Sequence, residues 1–150
     1  GNWDRHNGNW GFLYNTATDE IAIAPVYDCG SCLYPQADEA IMRDTIDKQP
    51  ERDLRTFSIP LSSIKVNGKK INYFDFISSL ENADCNKALK RILPKINMDA
   101  IFRIVDETPF ISDLQKQFYK TMLRTRKERI LDFAMEKLRK REKAKELEAR

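Results

Sequence analysis

Asn2-Trp3-Asp4-Arg5-His6-Asn7-Gly8-Asn9, with Asp28-Cys29-Gly30 following two apolar runs, is the part of the chain that carries chemistry. Asp4 is a carboxylate, Asn9 offers an amide oxygen five positions on, and Asp28 is a second carboxylate beyond a turn. Phosphoryl transfer needs such a set, because most of its acceleration comes from positioning the attacking hydroxyl and neutralising charge on the phosphates. Asp4 is the candidate catalytic carboxylate that meets the hydroxyl. Asn9 and Asp28 are the candidate metal ligands, a neutral and an anionic oxygen of the hard kind that Mg²⁺ takes. Gly30, two residues after Asp28, is expected to let the backbone turn sharply there.

Working outward, Trp10-Gly11-Phe12-Leu13-Tyr14 and Ile21-Ala22-Ile23-Ala24-Pro25-Val26-Tyr27 flank the polar turn Asn15-Thr16-Ala17-Thr18-Asp19-Glu20. The pattern predicts a hairpin that brings Asn9 and Asp28 together at its open end. The near-absence of polar residues within either strand predicts burial on both faces, a rigid base for the ligands. Trp3, Trp10 and Tyr27 read as core around the loop, and Asn7 with Gly8 as a supporting turn.

Asn2 to Asn9 followed by Ala24-Pro25-Val26-Tyr27-Asp28 resembles the catalytic segment of HipA-like serine/threonine kinases, the family of bacterial toxin kinases and their relatives. The order Asp-Arg-His, rather than His-Arg-Asp, separates it from ordinary eukaryotic protein kinases. It is also similar to the Asp-Arg-His-Asn-x-Asn segment of phosphatidylinositol kinases, so the motif alone leaves the acceptor open. Ile64 to Ile77, with Asn67-Gly68-Lys69-Lys70-Ile71-Asn72-Tyr73-Phe74, resembles Clostridia-type HipA-domain proteins and extends the likeness over most of the chain. The resemblance implies Asp4 as base, Asn9 and Asp28 as Mg²⁺ ligands, ATP as donor and a protein serine or threonine hydroxyl as acceptor. It makes His6 a second candidate catalytic residue, which either bonds backbone near Asp28 and fixes the loop or approaches the phosphates. Cys29 stands where eukaryotic kinases have phenylalanine. No glycine-rich loop and no strand lysine precede Asp4, so the resemblance implies an N-terminal lobe missing from these residues and little activity without it. Gly1 in place of an initiator methionine favours a fragment.

The bounds agree with one domain. The chain has 150 residues, 41% hydrophobic and 33% charged, as in soluble globular proteins. No apolar run approaches the roughly 18 to 20 residues needed to span a bilayer, so no membrane association is expected and the cytoplasm is the expected location. Three cysteines with no sign of secretion do not make a disulfide framework. Cys29-Gly30-Ser31-Cys32 reads as C-x-x-C, but zinc would need two further ligands and the only histidine is His6.

Beyond Cys32 a helix is predicted from about Gln36 to Asp47, with Ala37, Ala40, Ile41 and Thr45 at helical spacing and Pro50 beyond its end. Glu51 to Thr56 reads as a charged loop, lying where peptide substrates approach in kinases. Asn67-Gly68 between short apolar runs predicts a second hairpin, after which Asn72 caps a helix with a core-facing aromatic run. Asp84 and Asn97 are expected to cap two further helices, with Pro94 ending the first; Met98, Ile101, Phe102 and Val105 form the buried side of the second. Ser112-Asp113-Leu114-Gln115 is a capping box opening a long helix that buries Leu114, Phe118, Met122, Ile130, Ala134 and Leu138. Arg139 to Arg150 holds six basic residues against three glutamates, an excess equal to the +3 of the whole chain. The resemblance offers a DNA-binding antitoxin as a partner for this tail, since HipA toxins associate with one. Its interspersed glutamates and lack of aromatics instead predict a solvated helix end.

The expected architecture is mainly α with small β-hairpins, the C-terminal lobe of a protein-kinase-like, HipA-like fold. Residues 1–35 form the catalytic loop, hairpin and metal-binding segment, 36–138 a helical lobe with one core and the second hairpin, and 139–150 a charged helical tail. Two other functions stay open: a phosphotransferase of similar fold acting on a lipid or small molecule, and a helical binding module without catalysis. Three oxygen groups so placed disfavour the module.

Overall fold

The structure is a computed structural model that describes residues 1–2 and 4–149, the Ile64 side chain apart. Trp3, expected in the core, and Arg150, the last basic residue of the tail, lie outside the described residues. The expected mainly helical fold with two small antiparallel hairpins is present. In chain order the elements are β1 (Phe12–Asn15), β2 (Glu20–Ile23), α1 (Glu39–Asp47), α2 (Gln49–Asp53), β3 (Leu61–Val66), β4 (Lys69–Asn72), α3 (Tyr73–Ser79), α4 (Ala83–Ile92), α5 (Met98–Glu107), α6 (Asp113–Arg126) and α7 (Phe133–Glu148). Among the described residues no helix is long and apolar enough to cross a membrane.

The spine of the molecule is α6 and α7, joined without a break by a wide π turn over Lys127–Asp132. Ser112 starts it, its hydroxyl accepting the Gln115 amide at 3.2 Å. The buried stripe is the expected one: Phe118, Met122, Ile130, Ala134 and Leu138 are buried and Leu114 partly so. α1 packs on the first half of the spine, where Met42, Phe118 and Met122 meet Leu33, Tyr34 and Ile46. The second half holds Leu89, Ala134 and Met135 with Ile77 of α3, Leu93 just beyond α4 and Leu131 of the π turn. The expected single core is therefore two clusters threaded on one helical run.

Several local expectations need correction. α1 starts at Glu39 under an Asp38 cap and turns Met42 and Thr45 inward, so the unforeseen Met42 anchors this helix. Glu51 to Thr56 is helical: Pro50 sits in the first turn of α2, where its missing N–H is no loss, and a π turn over Leu54–Ser58 continues it. The segment is held because Arg52 reaches back to the carbonyls of Thr45 (3.0 Å) and Ile46 (2.5 Å). α4 is capped by Asn82, which accepts the Cys85 amide at 2.8 Å, so Asp84 lies in its first turn instead. The caps at Asn72 and Asn97 fall as expected. So does the turn at Asn67-Gly68, where both residues have positive φ (51° and 77°), as a tight type I′ hairpin turn requires.

The first hairpin departs most. Its strands pair Phe12 with Ile23 and Asn15 with Glu20, but all eight strand residues are exposed, against the expectation of burial on both faces. Phe12 is 62% exposed, Ile23 75% and the following Val26 80%. Trp10 and Tyr27, expected in the core, are 50% and 43% exposed. The apolar pattern is real, and nothing among the described residues covers it.

Candidate active site

The loop from Asp4 to Asn9 is closed by its own polar groups. Asn7–Asn9 is a single 3-10 turn, in which His6 Nδ1 accepts the Gly8 amide at 3.0 Å and Asn9 Oδ1 accepts the His6 amide at 2.9 Å. A Cβ at Gly8 would stand 3.0 Å from the His6 ring, so a larger residue there would push that ring aside. His6 thus bonds the backbone of Gly8, not of the Asp28 region.

Three groups then tie the loop to the segment after β2. The Arg5 guanidinium donates through Nη1 to the carbonyls of Asn9 (2.6 Å) and Tyr27 (2.9 Å), and through Nη2 to the Cys29 sulfur (3.5 Å). Asn2, only 5% exposed, donates to the Asp28 carbonyl at 2.8 Å and accepts the Asp4 amide at 3.1 Å. The Tyr27 hydroxyl donates to the Gly8 carbonyl at 3.0 Å. Two further bonds fix the assembly to the helical lobe, from the Tyr73 hydroxyl to the Asn2 carbonyl (2.5 Å) and from the Ser63 amide to the Arg5 carbonyl (3.1 Å). The sequence reading gives Arg5 and Asn2 no structural role and places Tyr73 in a core-facing aromatic run, and the spacing of their partners offers no local signal for these bonds.

Asn9 and Asp28 are in contact: the buried Asn9 amide donates from Nδ2 to Asp28 Oδ2. The sharp turn beside them is made by Asp28 itself, at φ 53°, and not by Gly30, which opens a short 3-10 turn over Gly30–Leu33. Aspartate is among the few side chains that adopt this left-handed conformation with any frequency. Burial raises the Cys32 thiol above its usual range, with the neighbouring Cys29 adding to the effect. Among the described residues no group of three or more His, Cys, Asp or Glu is placed to hold a metal.

Asp4 is exposed and faces a different space. It lines an open cleft of about 550 Å³ together with Tyr34, Pro35, Ala37, Ile41, Arg55 and Ile59. Among the described residues its carboxylate has no hydrogen-bond partner. His6 lines a separate cleft with Asn7, Gly8, Ser63 and Lys65. Asn9 and Asp28 are thus brought together, Asp4 is linked to them through Asn2, and His6 serves the turn between.

The donor types, a carboxylate and an amide oxygen, are those a hard divalent cation takes, although Asn9 here turns its Nδ2 toward Asp28 and its Oδ1 toward the His6 amide. Asp28 offers a carboxylate, and Asn9 Oδ1 keeps a lone pair beyond the one that accepts the His6 amide. Mg²⁺ commonly binds through one or two protein oxygens and takes the rest of its shell from water and substrate phosphates.

No protein-family model matches the chain. It is 50% identical over 135 residues to the serine/threonine-protein kinase CtkA of Helicobacter pylori, a match over 89% of the chain. The crystal structure of that proinflammatory kinase superposes with a TM-score of 0.83 at 49% identity, over 90% of the chain. The chain spans 42% of the length of the curated relative and 50% of the chain in the crystal structure. The fold of these residues is therefore kinase-like, matching part of the CtkA structure.

Proposed function

We propose that these residues are the catalytic-lobe part of a HipA-like serine/threonine kinase that moves the γ-phosphate of ATP to a protein hydroxyl with Mg²⁺. The observation that carries this reading is the contact of Asn9 with Asp28, bracketed by Asn2 and Arg5 to the loop that presents Asp4. The similarity to a serine/threonine kinase supports it. Asp4 accepts the hydroxyl proton of the acceptor, its carboxylate being open to the cleft and uncommitted to other bonds. Asn2 holds the Asp4 backbone and Arg5 the Asn9 carbonyl, so base and ligands keep one geometry. Mg²⁺ held by Asn9 and Asp28 would neutralise charge on the donor phosphates.

No glycine-rich loop or strand lysine for aligning those phosphates occurs ahead of Asp4 in these residues. We assign that task to the part of the kinase that the chain does not span. The open apolar faces of the β1–β2 hairpin support a neighbour packing there, since exposed apolar patches of this kind mark interaction surfaces.

The test is made on the complete natural protein containing this chain. Asp4→Asn should lower phosphoryl transfer about 10²-fold or more by removing the base. Asp28→Asn should be impaired in a way that depends on metal identity and concentration, since a ligand is altered. Transfer by Asp4→Asn to serine peptides at the wild-type rate would end this reading.

A further inference from the structure

The β3–β4 hairpin carries a charge that no helix of the molecule balances. From Leu61 to Asn72 it holds Lys65, Lys69 and Lys70 and no aspartate or glutamate, and all three lysines are exposed. Among the described residues none of them forms an ion pair. Lysines elsewhere do: Lys90 meets Glu142, Lys120 meets Asp106 and Lys127 meets Asp132. Lys65 and Lys70 are also direct cross-strand partners. Residues directly opposite share a face, so two ammonium groups stand side by side, an arrangement that costs the hairpin stability.

That face meets the turn after Asp4. Lys65 and Ser63 line a cleft of about 540 Å³ with His6, Asn7 and Gly8, and no carboxylate is in its lining. The Ser63 amide donates to the Arg5 carbonyl at 3.1 Å, which fixes one wall against the other. His6 Nδ1 accepts the Gly8 amide at 3.0 Å, so the neutral ring carries its proton on Nε2 and that atom is a donor. Among the described residues the Asn7 side chain has no partner. Two ammonium groups, an imidazole N–H, an amide and a hydroxyl are the groups that a phosphate monoester takes, with its near-double charge and three acceptor oxygens. The lining has no aromatic platform on which a nucleic-acid base could stack.

We infer that the hairpin and the His6 turn form a second, anion-binding site, which takes a phosphoserine or phosphothreonine of a polypeptide. The anion site follows from the hairpin; the choice of a phosphorylated hydroxyl residue rests on the serine/threonine kinase reading, which makes that group the phosphate monoester met at this loop. The site is apart from the Asp4 cleft and binds a residue that already carries phosphate.

The experiment uses the complete natural protein without nucleotide, and two labelled peptides that differ only in phosphoserine against alanine. Fluorescence anisotropy should show the phosphopeptide binding about tenfold more tightly, the gain of a charge-assisted contact, and the gain should shrink as salt is raised. Lys65→Met and Lys70→Met should each weaken that preference and together remove it. Lys69→Met should leave it intact, because Lys69 pairs with Val66 on the opposite face. All three positions are exposed, so the variants should melt with the wild type. Equal binding of the two peptides would overturn the inference. So would an equal loss in Lys69→Met, since net charge alone would then explain the binding. Displacement of the phosphopeptide by ATP would give the cleft to the phosphate donor, and displacement by phosphatidylinositol-phosphate vesicles would give it to a lipid headgroup; either overturns the polypeptide assignment. Selective binding that depends on Lys65 and Lys70, combined with no transfer to any serine peptide, would support the anion site while removing the kinase reading.

Discussion

Replacing Arg5 by alanine removes the group that spans both sides of the candidate active site. Two hydrogen bonds from a charged donor are lost, to the Asn9 carbonyl at 2.6 Å and the Tyr27 carbonyl at 2.9 Å, with a weaker contact to the Cys29 sulfur at 3.5 Å. Bonds of this kind contribute about 1.5–3 kcal/mol each when sheltered, and the Tyr27 bond, open to solvent, belongs at or below the lower end. Asn9 is 3% exposed, so its carbonyl loses its partner where water reaches it poorly. The expected loss is about 2–4 kcal/mol, which in a domain of this size lowers the melting temperature on the order of 5–10 °C. Arg5→Lys should recover only part of it, because an ammonium lacks the planar fork that meets two carbonyls and a sulfur at once. Thermal unfolding measures the total, and hydrogen exchange at the amides of His6, Asn9 and Ser63 shows whether the loop opens first. A variant that melts with the wild type and leaves those amides equally protected would refute the role given to Arg5.

Other expectations follow from packing, capping and the donor set. Phe118→Ala empties a fully buried position between α1 and α6 and should cost about 3–5 kcal/mol in urea unfolding. Ser112→Ala and Asn97→Ala should each cost about 1 kcal/mol by leaving a helix-start amide unmet, with glycine at either place costing only a few tenths. Mn²⁺ should bind weakly and broaden NMR resonances around Asn9 and Asp28 first, because two protein oxygens leave most of the shell to water. Broadening confined to the acidic residues of α1 would move the site.

Much of the fold was legible in short stretches. Asn67-Gly68, the caps at Asn72, Asn97 and Ser112, and the stripe from Leu114 to Leu138 each act through neighbours within a turn or two, where sequence spacing and spatial distance coincide. The contact of Asn9 with Asp28 was legible for a related reason, since a hairpin returns the chain to its start and both residues stand at its open end. The expectations that failed were of another kind. Pro50 was read as closing a helix when it opens one, because the bonds from Arg52 to the carbonyls of Thr45 and Ile46 decide the matter and leave no local trace. The first hairpin was read as buried on both faces, because an apolar pattern states what a surface prefers and not whether a partner is present to cover it.

What the sequence by itself determined, then, is the set of chemical groups and their local turns: a carboxylate, an amide and a second carboxylate on a loop and hairpin. Tertiary structure alone decided how those groups are held and what faces them. Asn2 joins Asp4 to Asp28 and is itself held by Tyr73 across a separation of 71 residues; the cleft beside Asp4 draws its walls from Tyr34, Ile41 and Ile59 on three separate segments. Such contacts form only after the helices have packed, because each hydrogen bond is too weak to close a loop of that length and becomes favourable once burial of the spine has brought its ends together.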